Sequence, residues 1–478
     1  MNYRRILNTL GIVLCFEAIC MILPLICAIV YKEREIIGFL ISIAICIIVG
    51  LPLALQKSKS KNIYSREGFI IVALCWIVMS IFGALPFVIS GAIPSFIPAL
   101  FETVSGFTTT GATILTDVEV LPRSLLFWRS FTHWIGGMGV LVFLVALLPL
   151  SGGSNLFLMK AESTGPSVNK LVPRVKSSAK ILYGIYIALT LLMLVFLLAG
   201  GMNFFEAITH TFGTAGTGGF GVKNTSIAGY SPYIQNVITV FMILFGIDFS
   251  VYYLILLRKF NLLLRSDEVK TYLGILLLST IVICINCLHL FENIWVSLRH
   301  SAFQVASIMT TTGFTTVDFD TWPALSKAIL LLLMFIGACA GSTGGGIKVS
   351  RIMIFVKSIA KEISIYAHPK LTKKIQISGR TVEHETVRSV NVYMAAYLSI
   401  FVVSLLLISL NGFDFTTNFS SVAATLNNVG PGFSMVGPMY NFSKFTDLSL
   451  LVFIFDMLVG RLEIFPMLVL FSHHTWKK

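Results

Sequence analysis

Thr310-Thr-Thr-Gly-Phe-Thr315 has three counterparts in the chain: Thr108-Thr-Thr-Gly-Ala-Thr113, Gly216-Thr-Gly-Gly-Phe-Gly221 and Asn427-Asn-Val-Gly-Pro-Gly432. Aligned on one glycine each, the strips centre on Gly111, Gly219, Gly313 and Gly430, spaced by roughly 100 residues. Each strip follows a half-apolar stretch, at about 96–107, 203–213, 297–309 and 416–427. These stretches are too short to cross a bilayer, and they read as re-entrant helices that dip in and turn back. A single Gly-rich strip would be an ordinary turn. Four, each after a matched short helix, read as four internal repeats packed around one pseudo-fourfold axis.

The sequence around the strips is that of a membrane protein. Of the 478 residues, 56% are hydrophobic and only 12% charged, about half the charge of a soluble chain. Apolar runs long enough to span fall at about 7–30, 37–55, 68–90, 124–149, 179–200, 232–257, 271–290, 325–357, 388–410 and 447–472. The first is too long for a signal peptide and has no small-residue cleavage site after it, so it reads as a retained helix. With ten full spans, four re-entrant segments and a cytoplasmic N-terminus, 27 of the 35 lysines and arginines fall on the inner side. Counting the short stretches as full spans would largely erase that bias. The net charge of +13 therefore marks cytoplasmic loops rather than a nucleic-acid surface. Both termini are expected in the cytoplasm.

The expected fold class is an all-α polytopic membrane protein. It has four span–pore-helix–filter–span repeats around one pore, plus two extra N-terminal helices. The boundaries are 1–60 for the N-terminal pair, 61–178, 179–268 and 269–385 for repeats one to three, and 386–478 for repeat four. All eight cysteines lie in apolar segments, and Cys284 and Cys287 have no second pair, so they read as small apolar fillers.

The strips have the chemistry of a cation filter. A dehydrated cation needs a ring of oxygens, which extended backbone carbonyls supply. Glycine reaches the required dihedrals and lets the backbone approach the ion, and threonine adds a hydroxyl. Thr109-Thr-Gly-Ala-Thr113 and Thr217-Gly-Gly-Phe-Gly221 echo the Thr-Val-Gly-Tyr-Gly strip of potassium channels. The short helices would point their negative C-terminal ends at the pore. Glu102, Glu206 and Asp414 lie near the starts of three of them, where capping and cation attraction are both open.

With Ser105-Gly-Phe-Thr-Thr-Thr-Gly-Ala-Thr113, His133-Trp-Ile-Gly-Gly-Met-Gly139, Ala340-Gly-Ser-Thr-Gly-Gly-Gly-Ile-Lys348 and Asn427-Asn-Val-Gly-Pro-Gly432, the chain resembles the TrkH/KtrB potassium-transport subunits over nearly its whole length. That superfamily includes the plant HKT transporters. The extra N-terminal spans make it more similar to the TrkH branch. The resemblance implies a potassium-binding filter made of Thr109, Thr110, Gly111 and Ala112; Thr217, Gly218, Gly219 and Phe220; Thr311, Thr312, Gly313 and Phe314; and Asn428, Val429, Gly430 and Pro431. Glycine at all four centres goes with potassium in this family, and serine at the first with sodium in some plant members. It also implies a homodimer, one pore per subunit, and a cytoplasmic regulatory subunit of TrkA type that binds NAD or ATP. This chain has no Rossmann or Walker signature of its own, so no cofactor is expected beyond potassium bound in the pore. The expected setting is the cytoplasmic (inner) membrane with its lipid, and no nucleic acid.

The span at 325–357 is interrupted by Gly337-Ala-Cys-Ala-Gly-Ser-Thr-Gly-Gly-Gly346, in which seven residues are Gly, Ser or Thr. Such a strip cannot face lipid. It reads as a gate built from Gly341, Ser342, Thr343, Gly344, Gly345 and Gly346, with a helix-packing seam as the alternative. Lys348 is expected to cap the loop's inner end. Arg461, within an apolar run, is costly there and needs a partner or a function. Direct gating, which the resemblance implies, stands beside a structural pair of Asp456 with Arg461 or Lys348. His133 and Trp134 read as helix packing behind the first strip rather than a proton relay. The expected function is potassium uptake through a gated, channel-like pore, with a proton- or sodium-coupled carrier as the alternative. An enzyme is not expected, since no His-Glu-x-x-His or Gly-x-Ser-x-Gly motif occurs and the eight histidines are scattered.

Overall fold

The computed structural model describes residues 1–56, 65–139, 175–259, 265–369 and 374–476. Three N-terminal helices come first: α1 (Tyr3–Cys20), α2 (Ile22–Tyr31) and α3 (Ile36–Ala54). α1 and α3 cross closely because Gly11 and Gly50 bring backbone against backbone; a Cβ at Gly11 would collide with Gly50 O and Ala54 N. Small residues are the usual means of such contact in a bilayer.

Four units of similar order follow. The first holds α4 (Ser65–Gly83), α5 (Leu85–Ile89), the short α6 (Phe96–Phe107) and α7 (Arg123–Gly137). The second holds α8 (Val175–Ala199), short α9 (Phe204–Ala215), α10 (Pro232–Phe245) and α11 (Phe249–Leu256). The third holds α12 (Asp267–Asn286), short α13 (Ile294–Met309), α14 (Ala324–Ile336) and α15 (Val349–Ala367). A small antiparallel hairpin, β1 (Gln376–Ile377) with β2 (Arg380–Thr381), precedes the fourth unit. That unit holds α16 (His384–Ile408), short α17 (Phe415–Leu426), α18 (Asp447–Arg461), α19 (Phe465–Phe471) and α20 (His473–Trp476).

The short helices fall within a few residues of the sequence expectation. Each packs against the helix that follows the strip of the preceding unit: α9 on α7, α13 on α10, α17 on α14, and α6 on α18. The last pair joins the first unit to the fourth.

The spans differ from the ten expected. Among the described residues, six helical stretches are long and apolar enough to cross a membrane: Tyr3–Tyr31, Ile36–Ala54, Arg66–Ile89, Ala179–Ala199, Asp267–Asn286 and His384–Asn411. A seventh results if Pro232–Phe245 and Phe249–Leu256, bent by 90°, are one span. The stretches at 325–357 and 447–472 break, at 337–348 and at 462–464. The rest of 124–149, beyond residue 139, lies outside the described residues.

Polarity is inverted relative to a soluble protein. Ile48, Leu332, Leu406 and Leu410 are exposed, while Thr108, Thr217, Thr310, Thr312, Gln304 and Asn428 are fully buried. Lipid replaces water outside, and the interior keeps the polar groups.

Candidate functional site

All four short helices end in the same way. Thr109, Thr217, Thr311 and Asn428 each take a left-handed conformation, with φ of 55°, 56°, 59° and 56°. The next residue donates its N–H to the carbonyl five back: Thr110 to Ser105 at 2.9 Å, and Gly218 to Gly213, Thr312 to Ser307 and Val429 to Ala424 at 2.8 Å. The left-handed residue itself bonds three back, to Gly106, Thr214, Ile308 and Thr425. This is the Schellman ending, but with threonine or asparagine where glycine is usual. A β-branched residue there costs on the order of 1–3 kcal/mol. The chain accepts that strain three times over.

The side chains give a reason. Thr311 Oγ1 accepts a hydrogen bond from Gly345 N at 2.6 Å. Asn428 Nδ2 donates to Thr110 Oγ1 at 3.0 Å and to Met457 O at 2.9 Å, tying the fourth strip to the first. Thr110 and Thr312 share hydroxyl bonds of 2.8 Å with Thr108 and Thr310.

One residue after the bonded position, Gly111, Gly219, Gly313 and Gly430 have φ of 80°, 77°, 82° and 97°. A Cβ at Gly111 would strike Gly218 O; at Gly219, Thr312 O; at Gly313, Val429 O; at Gly430, Thr110 O. The contacts run from strip one to two, three, four and back to one. A side chain at any of the four would displace the neighbouring strip. A single vestibule is lined by all four glycines together with Ala112, Phe220 and Pro431. Phe314 packs away from it, edge-on to His210.

Polar side chains behind the strips set their position. Glu102 is not at the start of α6 but in its second half, fully buried, in an ion pair with Arg129 at 2.7 Å. It also accepts from Thr113 Oγ1 and Ile114 N, both at 3.0 Å. Arg129 lies 3.8 Å from the Phe220 ring centre and reaches Gly221 O. His133 joins the same two strips: Nδ1 meets Gly106 O at 2.7 Å, and Nε2 accepts from Phe220 N at 3.3 Å. That fixes the proton on Nδ1. Glu206 lies in the first turn of α9 near Lys223, and Asp414 caps α17 by accepting from Thr417 N.

The interrupted stretch 337–348 lies at the other end of the strips. Gly345 N is bonded to Thr311, a Cβ at Gly344 would meet Thr310 O, and one at Gly345 would meet Asn427 O. Thr343 Oγ1 and N bond Phe245 O, Ser342 Oγ bonds Cys339 O at 2.6 Å, and Gly341 O accepts from Phe249 N. Gly341 and Gly346 have positive φ, which lets the chain double back. Lys348 is buried with its Nζ on Gly344 O, bracing the loop from its inner end.

Arg461 donates to Thr343 O at 2.8 Å and to Gly136 O and Gly137 O. One guanidinium thus links the loop to the ends of α7 and α18. The expected pair of Asp456 with Arg461 or Lys348 does not form. Asp456 accepts from Ser404 at 2.6 Å, and the ion pair nearby is Arg351 with Glu463. Glu268, at the start of α12, was not singled out in the sequence. Its Oε1 accepts from Ala340 N at 2.7 Å and Ser350 N at 3.2 Å. The only signal was an Asp-Glu pair opening an apolar run.

The chain is similar over its whole length to known transport proteins. The family model described as TrkH, cation transport protein, matches residues 35–478. The "Trk system potassium uptake protein TrkH" of Escherichia coli (strain K12) is 37% identical over 487 residues, covering both chains fully. The protein of the same name from Salmonella typhimurium is 36% identical over 486 residues, again covering both fully. The crystal structure of the potassium transporter TrkH from Vibrio parahaemolyticus superposes with a TM-score of 0.90 at 33% identity, over 100% of both chains. The chain belongs to the TrkH family, a family of multi-pass membrane transport proteins.

Proposed function

We propose that this chain is the potassium-translocating subunit of a Trk-type uptake system. The observation that carries the reading is the closed ring of Gly111, Gly219, Gly313 and Gly430, each against a carbonyl of the next strip. Such a ring can replace the hydration shell of a cation with backbone oxygens. The four units, at 61–178, 179–268, 269–385 and 386–478, are then pseudo-fourfold repeats about one pore. The short-helix contacts from unit to unit support this, including that of α6 with α18. The C-terminal ends of the short helices add negative potential at the ring.

The loop 337–348 is the gate in this reading, with Gly344 and Gly345 against the helix ends, Lys348 bracing it and Arg461 holding it shut. The positive charge of Arg461 beneath the strips also opposes cation passage until the loop moves. The chain works as a homodimer in the inner membrane, with both termini cytoplasmic. It is governed by a nucleotide-binding partner of TrkA type; the names of its relatives, as parts of a Trk system, support a regulated assembly. It is a transporter and not an enzyme.

The test is rubidium and sodium uptake into proteoliposomes holding the purified protein, beside Gly111→Ser. Strong rubidium uptake, weak sodium uptake, and relaxed selection in the variant are expected. Equal uptake of the two ions by the parent rejects potassium selectivity. A coupled carrier is a second reading, favoured by the buried Asp456, whose Oδ2 has no hydrogen-bond partner among the described residues. Rubidium flux that ignores an imposed pH or sodium gradient rejects it.

A further inference from the structure

The hairpin between α15 and α16 is bonded to the start of α12 by a reciprocal pair. Ser378 N donates to Asp267 Oδ2 at 2.7 Å, and Asp267 N donates to Ser378 Oγ at 3.0 Å. Ser378 and Gly379 form the tight turn, with φ of 50° and 75°. Lys357 of α15 donates to Gln376 O at 2.8 Å, and Ile375 is buried at the hairpin base. The tip at Gly379, Arg380 and Thr381 is exposed.

The next residue, Glu268, faces the other way. Its Oε1 holds Ala340 N, inside the loop, and Ser350 N, at the first turn of α15. Two adjacent carboxylates on one helical turn therefore join an exposed hairpin to the interrupted stretch. This is more than local capping. Ser266 is the N-cap residue of α12 and makes no side-chain cap bond; the hydroxyl that serves the helix end comes from Ser378, 111 residues away. A helix needing only a cap would use its own serine. Hydrogen bonds to a carboxylate are the stronger kind, so motion of Ser378 is passed to Asp267 rather than absorbed.

We propose that the hairpin at 375–382 is a control handle for the loop 337–348, acting through Ser378, Asp267 and Glu268. It rests on the reading of that loop as the gate. Asp267 and Ser378 are positioning residues. A regulatory chain that grips the exposed tip shifts the first turn of α12, and Glu268 releases or tightens Ala340 and Ser350. Since Lys357 ties the hairpin to α15 as well, the handle moves both sides of the loop's exit together.

Cys339, fully buried in the loop, gives a direct readout. In full-length protein with the other seven cysteines replaced, maleimide labelling of Cys339 is measured in detergent and rubidium uptake in proteoliposomes. Asp267→Ala is expected to raise the labelling rate about tenfold, the scale of one charge-assisted hydrogen bond. It also shifts rubidium uptake severalfold without altering the rubidium-to-sodium ratio. Asp267→Asn keeps an acceptor for Ser378 N and stays near the parent in both. Should Asp267→Ala not fold, Ser378→Ala removes only the hydroxyl and is expected to move labelling the same way by a smaller factor. Arg461→Ala is the control for the gate itself. If it raises labelling and uptake while the Asp267 and Ser378 variants match the parent, the handle is wrong and the gate stands. If it raises labelling with uptake unchanged, the loop is not the gate and the proposal falls with it.

Discussion

At Gly219 a single methyl group decides the outcome. Its Cβ would occupy the place of Thr312 O, so Gly219→Ala must push the second strip off the third. The variant is expected to fold, because the contact is one of many, and to lose at least nine-tenths of rubidium uptake; size-exclusion chromatography and uptake together check this. Glu102→Gln tests the brace behind the first strip. It leaves the Arg129 guanidinium buried and unpaired, which typically costs about 3–5 kcal/mol, and a fall in thermal stability with relaxed ion selection is the expected result. Arg461→Ala removes the donor to Thr343, Gly136 and Gly137 and frees the loop, so rubidium uptake without any regulator should rise about tenfold, while Arg461→Lys falls between. The glycines could be read from the sequence because only glycine meets their backbone needs. Glu102 was misplaced, and Glu268 and the Asn428–Thr110 bond were missed, because their roles depend on partners far along the chain: Arg129, Ala340, and a residue 318 positions away.

Among the elements, the short helices and the long apolar ones were legible, since length and hydropathy fix both. The broken ones were not. A run such as 447–472 is apolar on average, yet Glu463 and Ile464 take positive φ and end α18 at Arg461. Gly460, Arg461, Glu463 and Pro466 mark the place, but the apolar residues on either side hide the break from mean hydropathy. The bend between α10 and α11 is similar: Asp248 caps the second helix through Ser250 N, and Gly341 O takes the N–H of Phe249. At the α1–α3 crossing, Gly11→Leu forces side chain into backbone. Overpacking of this kind costs about 1–3 kcal/mol. A lower melting temperature by several degrees is expected, with the rubidium-to-sodium ratio kept, because the crossing lies in the N-terminal helices that precede the four units.

Taken whole, the molecule closes between its first and fourth units, where α6 meets α18. That contact spans most of the sequence, so the ring forms only when the last unit is in place. Ending the chain at residue 411 removes α17 and α18, and should leave a membrane-inserted protein with no selective uptake. The expected bias of lysine and arginine toward one side predicts an orientation that labelling tests. Single cysteines at Asn441 and at the exposed Trp476 should label from opposite faces of sealed vesicles. Both labelling from one face would reject the expected topology.

Because the ring is one polypeptide, genetics acts on it one quarter at a time. In a tetramer of identical chains any substitution appears four times and cannot be graded. Here a single codon alters a single quadrant, leaving three as they were. Selection can therefore alter the ring in small steps, and each unit is free to acquire its own attachment: asparagine in the fourth, the interrupted stretch in the third, the arginine–glutamate brace in the first.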